Sequence, residues 1–220
     1  MNVDLRGHGE SSRAALETYD AASYADDLAA LIDELELAPV VVAGHSLGGV
    51  VAASLGARRP DLVRALLLED PPMFEGDSAR RNASPVAAFF PMLVAAVTDL
   101  QARNAPASEY APLAVGSTTP EDVAARCLSL HRWDPVTMQA AVDGIVWSTF
   151  DPTATLSCPL TVLRADPKMG AVFNAADVDL VLDANPQADV HMVPGAPHSI
   201  HAVATSAYLA HLDAFLDELS

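Results

Sequence analysis

Positive charge is scarce in this chain. Twelve lysines and arginines face 29 aspartates and glutamates across 220 residues, a formal net charge of −17. Lys168 is the single lysine. A surface of that sign repels nucleic acid and anionic membranes, so neither is expected as a partner. Cysteine is just as sparse. Cys127 and Cys158 form no CxxC pair and have no histidine–cysteine cluster around them. That excludes a disulfide framework and a thiolate metal knuckle, and two buried free thiols are expected. Long apolar runs are missing too. The longest, Val86 to Val97, is too short to span a bilayer and contains Pro91. The opening MNVDLRGHGE is charged and glycine-rich, unlike a secretory leader. Together these absences predict a soluble cytoplasmic protein. Apolar side chains, by contrast, are plentiful: 51% of residues are hydrophobic, enough for a substantial core.

Their periodicity alternates along the chain. Leu28, Leu31, Ile32 and Leu35 recur at helical spacing, with Asp26 and Asp27 in the first turn and Pro39 past the end. PVVVAGH is short, β-branched and apolar on both faces, which predicts a buried parallel strand. A helix should run from just after Ser46 to before Pro60. LVRALLLED is the next buried strand, ending near Asp70. From residue 71 to 156 strand-like runs cease. Val86, Phe89, Phe90, Leu93, Val94 and Val97 form one helical stripe. Thr119 and Asp134 each stand before a proline suited to a first helical position. This stretch is expected to be a helical insert, with the core in residues 1–70 and 157–220. CPLTVLRAD and DVHMVPG resume the strands, and Leu209, Leu212, Phe215 and Leu216 mark a final amphipathic helix. The alternation predicts an α/β fold, a parallel sheet covered on both faces.

The chemistry sits where PVVVAGH meets its helix, in the sequence GHSLGG (Gly44–Gly49). A strand that turns at once into a helix must bend sharply. Glycines beside the serine let the two elements approach. The bend holds Ser46 over the end of the sheet, at the amide-rich N-terminus of a helix. A serine there needs a base held by a third group. His198, directly after a late strand and a glycine turn, is the leading candidate. His201 is a weaker one, and His8, His131, His191 and His211 weaker still. His45, beside the serine, is expected to shape a pocket.

DLRGHGES, GHSLGG, CPLTVLRADP and PGAPHSIH occur in an order that resembles the α/β-hydrolase superfamily and spans almost the whole sequence. The resemblance implies a metal-free, cofactor-free hydrolase. Ser46 would be its nucleophile, His198 its base, and the Leu47 N–H an oxyanion donor. It leaves the acid open. The usual family spacing after CPLTVLRAD falls on Lys168 or Met169, which cannot serve. Asp166 is the nearest carboxylate there, Asp70 the alternative after the preceding strand, and Glu69 a remoter choice. The insert resembles a cap, with Phe89, Phe90, Met92, Trp133 and Trp147 as candidate pocket residues over an apolar acyl substrate. Each of these is also at home in a cap core.

Family members normally carry three strands and an oxyanion loop before the segment matching VDLRGHGES, where Met1, Asn2 and Val3 stand here. That departure predicts an exposed edge at residues 39–43, to be covered by a second copy as a homodimer, by a refolded N-terminus, or by the rest of a longer protein. The function expected is hydrolysis of a carboxylic ester, thioester or lactone through an acyl-enzyme on Ser46. The alternative is a weak or inactive remnant that binds a small molecule or a partner chain.

Overall fold

A computed structural model describes residues 1–74, 76–83, 89–115, 117 and 119–220. Four parallel strands make one sheet in the order β1 (Val40–His45), β2 (Val63–Glu69), β3 (Leu160–Arg164) and β4 (Asp189–Met192). Helix α1 (Ala21–Glu34) precedes β1, and α2 (Leu47–Arg58) joins it to β2. Between β2 and β3 lie α3 (Ser78–Ala83), α4 (Phe89–Ala102), α5 (Pro120–Arg132) and α6 (Val136–Val142). Then α7 (Ala175–Ala184) joins β3 to β4, and α8 (Ile200–Val203) and α9 (Thr205–Glu218) close the chain.

The sheet is covered on both faces, as its strand composition requires. Strand residues alternate in direction, so Leu66, Leu68 and Val162 pack with Ala29 and Ile32 of α1, Leu55 of α2 and Val181 of α7. Ala65, Leu67 and Leu163 face the other way, onto Ile200 and Phe215. β2 is central and buried at every position except Arg64. Complete burial of a leucine such as Leu67 stabilises the fold by about 1.5–3 kcal/mol.

β1 is less buried than its composition alone implies, in keeping with the edge expected at residues 39–43. Its sequence is apolar on both faces, yet Val41 and Ala43 are exposed, with partly buried residues between them. The cause is position: β1 pairs with β2 along one side and forms an edge of the described sheet.

The insert has a core of its own, built from Leu93, Val97, Leu100, Tyr110, Leu130 and Trp133, with Cys127 buried among them. Cys158 is buried in the sheet core, and both thiols are free. Of the predicted stripe, Leu93 and Val97 are buried and Phe89 is exposed, while Val86 lies outside the described residues. Thr119 caps α5 through a reciprocal box with Asp122, and Pro120 opens the helix. The Asp134 carboxylate accepts the Val136 N–H at the start of α6 and the Tyr19 hydroxyl at 2.7 Å. An ion pair between partly exposed Arg80 and buried Asp177, at 2.7 Å, ties α3 to α7.

Candidate active site

The carboxyl ends of β1, β2 and β3 converge on one site. In parallel α/β sheets this is where ligands bind. Ser46 follows β1 directly and has φ 53° and ψ −119°, a left-handed backbone that a serine adopts only under strain, about 1–3 kcal/mol. Its N–H donates to the Glu69 carbonyl at 2.9 Å, so the bend is anchored to β2. Leu47 begins α2, where its N–H has no intrahelical acceptor.

The glycines divide their work differently from the expectation. A Cβ on Gly44 would lie 2.2 Å from the Gly48 carbonyl oxygen, so strand and helix touch there. A Cβ on Gly49 would meet Pro71 at 2.8 Å. At Gly48 nothing lies within 4 Å. The close approach needs Gly44 and Gly49, and Gly48 leaves open space beside the serine.

At the end of β2, Asp70 also adopts a left-handed backbone, φ 42°. Its side chain is fully buried, and its Oδ2 takes a hydrogen bond from His198 Nδ1 at 2.7 Å. Three backbone N–H groups hold the carboxylate: Ala165 at 3.1 Å, Val172 at 2.9 Å and Phe173 at 3.3 Å. Because a carboxylate only accepts, the proton of neutral His198 sits on Nδ1 and the Nε2 lone pair is free.

Asp166 does something else. It caps the short turn Pro167–Met169, accepting the Lys168 N–H at 2.9 Å and the Gly195 N–H at 2.9 Å. Those bonds, Gly195 first, hold its carboxyl below the usual range. Its bond to Gly195 braces the loop that leads into His198.

Glu69 and His201 form a second carboxylate–imidazole pair. Glu69 is 2% exposed. It accepts the His201 N–H at 2.9 Å, and His201 Nδ1 lies 3.0 and 2.9 Å from its two oxygens. Burial alone would raise the Glu69 carboxyl, but the His201 bonds and the nearby His45 bring it below its ordinary value. The same Glu69 bond raises His201. His45 lies between the two histidines, with ring centres 4.6 Å from His198 and 5.0 Å from His201. Its Nε2 lies 3.1 Å from the His198 carbonyl, which can only accept, so Nε2 carries the proton. Burial, then the charge of His198, pushes His45 down to about 4, so it is neutral near pH 7.

His45, Glu69 and His201 are a group of metal-ligating type, with donor atoms within 4.8 Å of one another. Glu69 and His201 already satisfy each other, so a cation would have to break their bonds first. Of the aromatic candidates, Trp133 is buried in the insert core with its N–H on Thr137, and Trp147 donates to the Pro72 carbonyl. Phe89 and Phe90 pair at 6.3 Å on α4 with surface to spare, and Met92 is 66% exposed. A groove of about 460 Å³ lies elsewhere, between the N-terminal segment and α1, lined by Arg6, Arg13 and Asp27 among others. It includes none of the converging residues.

A strand–serine–helix bend at the same end of a parallel sheet as a carboxylate-held histidine is the arrangement of a hydrolase class. The chain belongs to the alpha/beta hydrolase fold family, whose model matches residues 3–150. It is a hydrolase, and its relatives are lipases, esterases and other hydrolases. The lipase LipV of Mycobacterium tuberculosis is 32% identical over 92% of this chain and 80% of its own length. The 2-(acetamidomethylene)succinate hydrolase of Mesorhizobium japonicum is 30% identical over 98% of this chain and 77% of its own. A crystal structure of an E-2-(acetamidomethylene)succinate hydrolase superposes with TM-score 0.67 at 25% identity, covering 97% of this chain and 80% of that one. A marine microorganism esterase shares the fold at TM-score 0.76 and 20% identity, over 96% and 82% of the two chains. Among the described residues no helix is long and apolar enough to cross a membrane.

Proposed function

We propose that the chain hydrolyses an ester-like small molecule, a carboxylic ester, thioester or lactone, through an acyl-enzyme on Ser46. The observation that carries this reading is the 2.7 Å bond from His198 Nδ1 to buried Asp70, at the sheet end where Ser46 bends into α2. His198 Nε2 takes the Ser46 proton as Oγ attacks the acyl carbon. Asp70 holds the tautomer and stabilises the imidazolium that forms. The Leu47 N–H, at the positive end of α2, faces the developing oxyanion. The imidazolium then protonates the leaving group. In the second half His198 activates water, which releases the acid and restores Ser46. Asp166 braces the loop and does not touch the imidazole in this scheme. Phe89 and Phe90 offer the acyl chain apolar surface, and Trp133 supports the insert from within.

The names of the relatives favour acyl chemistry, and LipV and the marine esterase favour an oxygen ester. Hydrolysis of p-nitrophenyl esters of rising acyl length tests the reading. Wild type should turn over, and Ser46→Ala should remove both activity and labelling by a fluorophosphonate probe while circular dichroism stays unchanged. Full activity in a clean Ser46→Ala preparation overturns it.

A further inference from the structure

We infer that Glu69 and His201 are positioning residues for His198, acting as a second carboxylate–imidazole unit through His45; this rests on the serine-hydrolase reading above. Consecutive residues at the end of β2 aim at two histidines three apart in sequence. Asp70 takes the His198 ring, and Glu69 takes both the N–H and the ring of His201 at the start of α8. His201 lies edge-on to His45, and His45 in turn lies against the His198 ring and donates to its carbonyl.

His198 is thereby held at three points: its ring by Asp70, its carbonyl by His45, and its downstream chain by Glu69. The first point fixes the tautomer. The other two fix where Nε2 sits relative to Ser46, because they stop the loop from rotating about the Asp70 bond. Burying a carboxylate for a surface helix of four residues is an expensive way to fold a loop. It is a reasonable way to locate a base, since a misplacement of about 1 Å can cost about 10²-fold in rate. Neutral His45 is part of the device, because its Nε2–H donates to the His198 carbonyl.

The test is kcat per active site, with sites counted by exhaustive fluorophosphonate labelling. Glu69→Ala and His201→Ala should each lower kcat per labelled site about 10–100-fold with KM nearly unchanged. The double variant should be no slower than the worse single one, because the two act as one unit. Glu69→Gln keeps an oxygen for the His201 N–H and should recover most of the loss. If Glu69→Ala fails to fold, the partly exposed His201→Ala carries the same readout and Glu69→Gln remains the rescue control. Variants that lose only soluble yield or melting temperature, with wild-type kcat per labelled site, overturn the inference and leave the serine-hydrolase reading standing. A wild type that neither labels nor cleaves esters sinks both. Activity that is removed by a chelator and restored by Zn²⁺ would make His45, Glu69 and His201 a metal centre and would also overturn it.

Discussion

The ends of β2 and β3 each present an aspartate near the same histidine loop, yet they are physically unlike. Asp70 is fully buried, sits on a left-handed backbone and gathers three N–H groups as well as the His198 ring. Asp166 stands at a turn, has an ordinary extended backbone and spends its oxygens on the Lys168 and Gly195 N–H groups. What distinguishes them is where donors converge. A strand-end carboxylate becomes the partner of an imidazole when its neighbours pay no charge of their own and hold it rigid; it becomes a cap when local N–H groups reach it first.

The sharpest break of this contrast is Asp70→Asn. An amide replaces one oxygen, and every protein group around the site donates. In the Oδ1 position the NH₂ would face the Ala165 and Phe173 N–H groups; in the Oδ2 position it faces only the Val172 N–H and the His198 ring, which it drives to the other tautomer, removing the Nε2 lone pair. Loss of kcat on the order of 10⁴-fold is expected, by analogy with the serine-protease aspartate. Steady-state kinetics on purified protein measures it. A loss as large from Asp166→Asn would reverse the assignment.

Much of the fold was legible because periodicity is a local property. All four strands and the flanking helices lie where alternation, capping residues and prolines put them. The strand–serine–helix bend was legible for the same reason. The partners of His198 were not: Asp70 is 128 residues away and Asp166 is 32, and neither separation encodes which carboxylate points inward. Glu69 and His201 escaped for that reason too, 132 residues apart and each plausible alone. VVVA reads the same in a central strand and at an edge, so the expected exposure of β1 comes from the family resemblance and not from the strand's own residues. Trp133 could equally have roofed a pocket, and only packing against Leu130 and its neighbours shows that it is core.

The end of β1 carries a similar contrast between neighbours of one residue type. Gly44→Ala drives a methyl into the Gly48 backbone, where no flexible side chain can yield, so strand and helix must separate. A loss of about 1–3 kcal/mol or more of stability, together with most of the esterase rate, is expected. Gly48→Ala meets nothing within 4 Å and should fold normally. Urea denaturation of the two variants side by side measures the difference. Equal stability would mean that the approach at Gly44 is looser than its geometry.

The second pair should be visible in the pH dependence of stability. Glu69 has a folded value below its ordinary 4.5, so its contribution is present above that pH and is lost as pH falls through the depressed value. His201 has a folded value above its ordinary 6.5, so its contribution is complete below 6.5 and is lost as pH rises through the raised value. The groups facing the pair are His45, which stays neutral until pH nears 4, and Tyr208, whose burial raises its hydroxyl. Wild type should therefore exceed Glu69→Gln/His201→Asn in Tm by the widest margin between about pH 5 and 6.5, narrowing on both sides. A margin of about 2–4 °C at most is expected, since the half-exposed His201 ring is screened by solvent. A margin independent of pH would show that the pair contributes no charge interaction.

The smallest effect belongs to Asp166, and it tests the other half of the opening contrast. Asn at this position keeps an oxygen for the Lys168 N–H, and aspartate and asparagine cap turns about equally well. The Gly195 N–H loses an anionic acceptor at an exposed site, where water replaces it readily. The loop before His198 is also tied by the Asp166 N–H to the Ala196 carbonyl at 2.8 Å, a bond that no side-chain substitution removes. Asp166→Asn should therefore leave kcat within about twofold of wild type, with the pH–rate profile unmoved. If Asp166 acted on the imidazole, its neutralisation would shift the base limb of that profile. A profile displaced by a full unit, with Asp70→Asn nearly normal, would move the role of acid from the end of β2 to the end of β3.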